Sequence, residues 1–262
     1  MKLRHALQTC GLGLLTLAVV SCGKQSDVGS TVKVSNGIEI PETEYPSVVL
    51  LYDKDAGSIC TGTFVTENAV LTAAHCTMGG DVNDSGDVDL TLNIIEIEAQ
   101  DERKAKLVAE SVRVVRNPEW DRNGRNVNRY DLGLVFFESG VARDVSEIAE
   151  VPAQEGDDFT IVGYGLNGND KETAGIKRMG NNTVSSISGG FIRFTGQSGP
   201  TDGEGTDSAA GSGDSGGPLF IDTQVAGVTS GGGWGGWGRT RSLYIDLHSS
   251  TSVQFLQQYV RY

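Results

Sequence analysis

An all-β body closed by one C-terminal α-helix is the fold this sequence predicts, and three observations carry the prediction. Short apolar or alternating runs recur along most of the 262 residues. Turn-rich stretches drawing on 36 glycines separate them, as a chain of many short strands requires. Helical spacing of apolar residues is clear only near the C-terminus. Hydrophobic residues at 38% and charged residues at 21% support a packed core and exclude wholesale disorder.

The first 21 residues stand apart from that body. Lys2 and Arg4 form a basic head, and the apolar run 12–20 behind it is too short for a comfortable membrane span, so 1–21 reads as a signal peptide. The run ends in Val19-Val20-Ser21-Cys22-Gly23, which resembles the lipobox of bacterial lipoproteins. That resemblance implies acylation of Cys22 and a lipid anchor at the cell envelope. The alternative is an ordinary signal peptide cut nearby, with Cys22 a stray thiol. Both readings imply export. Residues 22–33 are small and polar, a flexible tether or pro-segment.

Beyond the tether, strand-like runs follow at 47–52, 60–65, 69–72, 90–97, 111–116, 132–137, 159–163, 191–194, 218–221, 225–229 and 243–245. Turn-rich stretches lie between them, such as 78–87 and 196–213. In 249–262, Val253, Leu256, Gln257 and Val260 recur at helical spacing after a Ser/Thr cap region, which predicts an amphipathic helix. Cys10 leaves with the signal peptide and Cys22 is the expected lipid site. Cys60 and Cys76 remain, an even pair in an oxidising compartment, which predicts one disulfide. The net charge of −13 excludes nucleic acid as a partner, because phosphate binding needs a basic face.

Three segments carry the chemistry. Leu71-Thr72-Ala73-Ala74-His75-Cys76 places a histidine beside one cysteine of the pair. Tyr130-Asp131-Leu132-Gly133-Leu134 puts an aspartate at the head of an apolar strand. Gly213-Asp214-Ser215-Gly216-Gly217-Pro218 sets a serine among glycines. A serine hydroxyl needs a base to act as a nucleophile at neutral pH. An imidazole base needs a carboxylate to fix its tautomer and stabilise the imidazolium. Glycines let the backbone turn its amides toward a developing oxyanion.

These segments, in the order His, Asp, Ser, resemble those of the trypsin/chymotrypsin family of serine proteases. Asn36-Gly37 with Glu44-Tyr45-Pro46 is similar to that family's mature N-terminus, and Ile161-Val162-Gly163-Tyr164-Gly165 to its Gly-aromatic-Gly strand. Cys60 and Cys76 match its histidine-loop disulfide. The resemblance runs from about Val34 to Tyr262. It implies two six-stranded Greek-key β-barrels, at 34–150 and at 151–262 with the helix, and an active site between them. It also implies the triad His75, Asp131 and Ser215, an oxyanion hole at the amides of Gly213 and Ser215, and protein or peptide substrates. No cofactor and no metal are expected, and the chain is expected to be a monomer.

Family members are usually activated by a cut that frees an apolar α-amino group to pair with the aspartate before the serine. Here the resemblance assigns these roles to Lys33, Val34 and Asp214, although Ser35 stands where an apolar residue is usual. The specificity pocket departs further. Ala209 occupies the position of trypsin's aspartate, followed by Ala210 and Gly211, the latter in place of a cysteine. Ser230 and Gly232 line the opposite wall, and Ser242 takes the third pocket position. These residues predict a neutral pocket, unless Asp202 or Asp207 reaches in from the neighbouring loop. The run 231–238, with Trp234 and Trp237, reads either as a substrate-recognising rim or as a plain flexible loop. The acidic run 81–89 is similar to a calcium loop, but position twelve is Leu92 instead of glutamate, so a solvated acidic turn is the simpler reading. The rival functions are a protease-fold binding protein without activity and an esterase of another fold; the His-Asp-Ser order disfavours the second.

Overall fold

A computed structural model describes residues 34–98, 101–122, 127–166, 174–197, 205–236 and 238–260. The signal peptide, Cys22 and Lys33 lie outside the described residues, as do Asp202 and Trp237. In chain order the strands are β1 (Ile38–Glu39), β2 (Val48–Asp53), β3 (Ser58–Phe64), β4 (Ala69–Thr72), β5 (Asp87–Val88), β6 (Asn93–Glu98), β7 (Asp101–Glu110) and β8 (Arg113–Arg116). They continue as β9 (Gly133–Phe136), β10 (Asp158–Gly163), β11 (Arg178–Thr183), β12 (Ser186–Ser188), β13 (Phe191–Gln197), β14 (Pro218–Ile221), β15 (Gln224–Gly236) and β16 (Arg239–Asp246). Two α-helices are present among the described residues, α1 (Pro118–Arg122) and α2 (Ser250–Leu256).

The strands form two eight-stranded sheets, ordered β5-β8-β9-β4-β3-β2-β6-β7 and β1-β11-β10-β14-β15-β16-β13-β12. Eight here is six plus two details. In the first sheet β7 and β8 are one chain segment broken only at Ser111 and Val112, so the segment pairs with β6 at one edge and β9 at the other. In the second, β11 and β12 are likewise broken only at Val184 and Ser185. The two-residue strands β5 and β1 are edge additions. Each sheet thus curls on one bent strand. With the six segments of each numbered in chain order, both run 1-2-3-6-5-4 around the sheet. This is the double β-barrel architecture with a short C-terminal helix.

Alternation along the strands fills the two interiors. Leu51, Phe64, Val70, Val114, Val135 and Phe137 pack together in the first barrel. In the second, Phe159 and Tyr244 flank Phe194 with ring centroids 4.4 and 5.5 Å away. Each fully buried side chain of this size contributes roughly 1.5–3 kcal/mol. A third cluster joins the barrels, with Val48, Leu71 and Leu134 from one and Phe220, Val228 and Ile245 from the other. Phe255, Leu256 and Val260 seal the same cluster. The C-terminal segment therefore latches both barrels. Its helix is shorter than 249–262: Ser249 caps it by accepting from Ser252 N at 3.3 Å, and after Leu256 the chain tightens into turns that place Val260 in the core.

Other departures concern polar strands, a glycine-rich strand and the N-terminal segment. β7 and β11 carry too many polar residues to alternate visibly, and are held by their ladders with β6 and β10. The run 231–238, read as a rim or loop, is paired backbone through Gly236, with Gly232 opposite Ser242 and Gly233 opposite Arg241. Finally, residues 34–40 belong with the second barrel, not the first. Ser35 N bonds to Ala209 O at 2.8 Å, β1 pairs with β11, and Ile40 N reaches Lys177 O at 3.1 Å.

Candidate active site

The register of β4 with β9 assembles the first half of the site. Thr72 pairs with Gly133, so the turn after β4 and the loop before β9 leave the sheet side by side. His75 sits in that turn, a 3-10 segment Ala74–Thr77, and Asp131 two residues before β9. His75 Nδ1 lies 2.8 Å from Asp131 Oδ2, and His75 N donates to Asp131 Oδ1 at 2.9 Å. Asp131 is fully buried while the His75 side chain keeps 17% exposure. The carboxylate is thus dry and fixed, and the imidazole is open on its other side.

A third donor to Asp131 had no sequence signal. Between Thr229 and Gly231 the β15–β16 register shifts, leaving Ser230 as the bulged residue. Bulges re-aim side chains, and Ser230 Oγ donates to Asp131 Oδ2 at 2.5 Å. The sequence placed Ser230 only in the wall of the specificity pocket.

The serine loop closes on the same seam. Thr61 of β3 donates its amide to Ser215 O at 2.8 Å and its hydroxyl to Gly213 O at 2.9 Å. Cys76 Sγ, bonded to Cys60, lies 3.5 Å from Ser215 O, which sets the serine's backbone against the residue following His75. Gly216 is required here: its φ is +81°, and a Cβ would fall 2.0 Å from Thr72 Oγ1. In this loop Asp214 N donates to Gly211 O at 3.0 Å, and Gly216 N and Gly217 N donate to Thr229 O and Asp214 O at 2.8 Å. The amides of Gly213 and Ser215 donate to no acceptor among the described residues. Two amide donors are thereby left available beside a partly exposed serine.

Asp214 points the other way, into the interior. Gly165 N donates to its Oδ1 at 2.8 Å and Gly211 N to its Oδ2 at 2.5 Å, and the backbone amide of buried Val34 adds a further bond. Complete burial pushes its pKa up to about 7, against the pull of these amides and of Arg178. A folded-state pKa above the unfolded one means that this group's stabilisation is whole in acid and lost as pH rises through the folded value. The uncut chain is therefore expected to lose thermal stability between about pH 4 and 7 from this group. A chain starting at Val34, whose ammonium would offset the carboxylate, should show a smaller loss, and parallel melts of the two forms check it. Equal slopes would remove Asp214 as the cause.

The residues expected to line the specificity pocket are buried and uncharged. Ala209, Ala210 and Ser242 are each 0% exposed, and Ser242 Oγ accepts from Ala210 N at 3.0 Å. Asp207 does not serve as a free pocket charge, because Arg239 grips it with bonds of 2.7 and 2.9 Å. In the acidic run 81–89, Asn83 Oδ1 accepts from Ser85 N and Asp87 N, and Asp87 pairs with Arg113 at 2.6 Å. Among the described residues, the one set of three His, Cys, Asp or Glu side chains that converges is Cys60, His75 and Cys76, whose sulfurs are spent on the disulfide.

Two β-barrels with a histidine–aspartate pair and a glycine-framed serine at their seam define the class of trypsin-like serine proteases. A family model described as Trypsin matches residues 34–253, and the chain belongs to that family. It is 26% identical over 220 residues to Trypsin 5G1 of Aedes aegypti, covering 79% of this chain and 76% of that protein. To Chymotrypsin of Phaedon cochleariae it is 28% identical over 222 residues, covering 79% and 75%. Among solved structures it resembles a Glu endopeptidase in complex with MPD, with a TM-score of 0.61 at 16% identity, covering 87% of this chain and 98% of that one. That likeness is one of fold.

Proposed function

We propose that this protein is a serine endopeptidase that hydrolyses peptide bonds through an acyl-enzyme. The observation that carries the reading is the buried Asp131 bonded to His75 beside the serine loop, with the Gly213 and Ser215 amides donating to no acceptor among the described residues. Ser215 Oγ attacks the scissile carbonyl while His75 Nε2 takes its proton. Asp131 holds Nδ1 protonated and stabilises the imidazolium. The two amides receive the oxyanion, a single such donor being worth about 3 kcal/mol in the transition state. His75 then returns its proton to the leaving amine, and water repeats the sequence on the acyl-enzyme.

The substrate is read as an extended strand along Ser230 to Gly232. Ala209, Ala210 and Ser242 favour a neutral side chain in the specificity pocket. They offer no cation for glutamate, the residue named for the structural neighbour, and no anion for lysine or arginine. Mass-spectrometric profiling of cleavage products from a diverse peptide library tests the proposal. Internal cleavage after neutral residues is the expected outcome. A folded protein that cleaves only esters, or nothing, would overturn it in favour of an esterase or a binding protein.

Two features complete the reading. A cut after Lys33 would turn the Val34 amide into an ammonium beside Asp214, a stronger partner for a buried carboxylate. Acylation of Cys22 would tether the protease to the cell envelope after export. Cys22→Ala is expected to move the protein from the membrane fraction to the soluble one on fractionation of expressing cells, and unchanged membrane association would count against the anchor.

A further inference from the structure

We propose that Arg178 is a positioning residue that holds Asp214 inward in the uncut chain, so that the serine loop is competent before any cleavage after Lys33. The inference rests on the endopeptidase reading and concerns its regulation. Its starting point is a problem of charge. A buried carboxylate needs a cationic partner or it is expelled or neutralised. In the uncut chain Val34 offers Asp214 an amide, not an ammonium.

Arg178 is placed to supply part of the missing charge, adding its pull to the bonds from Gly165 N and Gly211 N. It pairs with Gly163 across β10 and β11. Gly163 and Gly165 form the floor under the Asp214 carboxylate: a Cβ on the first would meet Oδ1 at 2.1 Å, and on the second Cγ at 2.7 Å. The guanidinium Nη1 donates to Gly165 O at 3.4 Å, while Gly165 N donates to Asp214 Oδ1 at 2.8 Å. One peptide residue thus separates cation from anion, in an interior where a charge acts over several ångströms with little screening. The Arg178 side chain is only 1% exposed. An arginine needed solely for a surface pair would not be buried so completely, since its desolvation is costly.

The ion pair of Arg178 with Glu39 fits the same role. Arg178 Nη2 pairs with Glu39 Oε1 at 2.7 Å, but Glu39 is 62% exposed, so water weakens its claim on the charge. Glu39 also ties the guanidinium to β1, five residues beyond Val34, linking the N-terminal segment to the Asp214 site. The neighbouring cation, Lys177, is committed elsewhere, to Glu42 at 3.3 Å and to the carbonyls of Glu44 and Tyr45 at 3.1 Å. With Asp214 fixed inward, the turn that orients the Gly213 and Ser215 amides is fixed as well.

The test compares two forms of the protein with Arg178 intact and replaced. Lys33→Gln keeps the full chain uncut; a chain starting at Val34 carries the free ammonium. Ser215 labelling by a fluorophosphonate, and kcat and KM on a peptide, are measured for each. The uncut form is expected to label within about tenfold of the Val34 form. Arg178→Met should slow the uncut form by roughly a hundredfold, mainly in kcat, and the Val34 form by less than about threefold. Arg178→Lys should restore most of the loss, and it serves as the folded comparison if the methionine variant melts early. An unreactive uncut chain beside a reactive Val34 form would overturn the inference and leave the protease reading standing. Equal losses in both forms on Arg178→Met would also overturn it, by assigning Arg178 a merely structural part. If neither form labels with Arg178 intact, the reading of Ser215 falls and the inference with it.

Discussion

Replacing Ser215 by alanine is expected to lower kcat for peptide hydrolysis by roughly 10⁵- to 10⁶-fold, leaving only what binding and the oxyanion amides supply. Ser215 Oγ makes no bond that holds the fold together among the described residues, whereas its carbonyl, which does, is retained in the variant through Thr61 N at 2.8 Å. The glycines and Asp214 that shape the loop are untouched. The melting temperature should therefore move by no more than about 2 °C. Hydrolysis measured against a melt separates the two effects. Activity within a factor of about ten of the parent would refute the nucleophile assignment.

Asp131→Asn is the second large effect, expected near 10⁴-fold in kcat at neutral pH. Each carboxylate oxygen of Asp131 accepts from His75, Oδ2 from the ring and Oδ1 from the backbone amide. An asparagine satisfies only one of them. With its NH2 at the Oδ2 position it forces Nδ1 to accept, which puts the proton on Nε2 and leaves no base for Ser215. With its NH2 at the Oδ1 position it faces the His75 amide, donor against donor. Ser230 Oγ, also on Oδ2, can rotate to accept and so favours the first arrangement. A kinetic loss near this size with a small change in stability is expected from paired assays and melts. A loss below about tenfold would mean that His75 does not depend on Asp131 for its tautomer.

How far the sequence reaches depends on what its residues advertise. The strands written as short, nearly continuous apolar runs, such as β2, β4, β9 and β14, were legible because side chains on both of their faces enter a core. β7 and β11 were not, because ladder bonds hold them and backbone bonds leave no mark on composition. The glycine-rich stretch after Ser230 was misleading for the converse reason. Glycines read as loop, yet here they continue a ladder through Gly236. At the site, His75, Asp131 and Ser215 stood out through their neighbours, and the fold brings the first two into contact and the third to the same seam. Ser230's second role depends on a register shift, and Arg178's on a strand that the sequence did not announce. The absence of charge at Ala209, Ala210 and Ser242 is plain from the sequence, but the fate of Asp207 required knowing where Arg239 lies.

The most direct test of the central claim is to treat the folded protein with a fluorophosphonate probe and map the modified residue by peptide mass spectrometry. A single covalent adduct on Ser215, abolished by denaturation and by Asp131→Asn, is the expected result. No adduct, or labelling that persists in unfolded protein or falls on another serine, would contradict it.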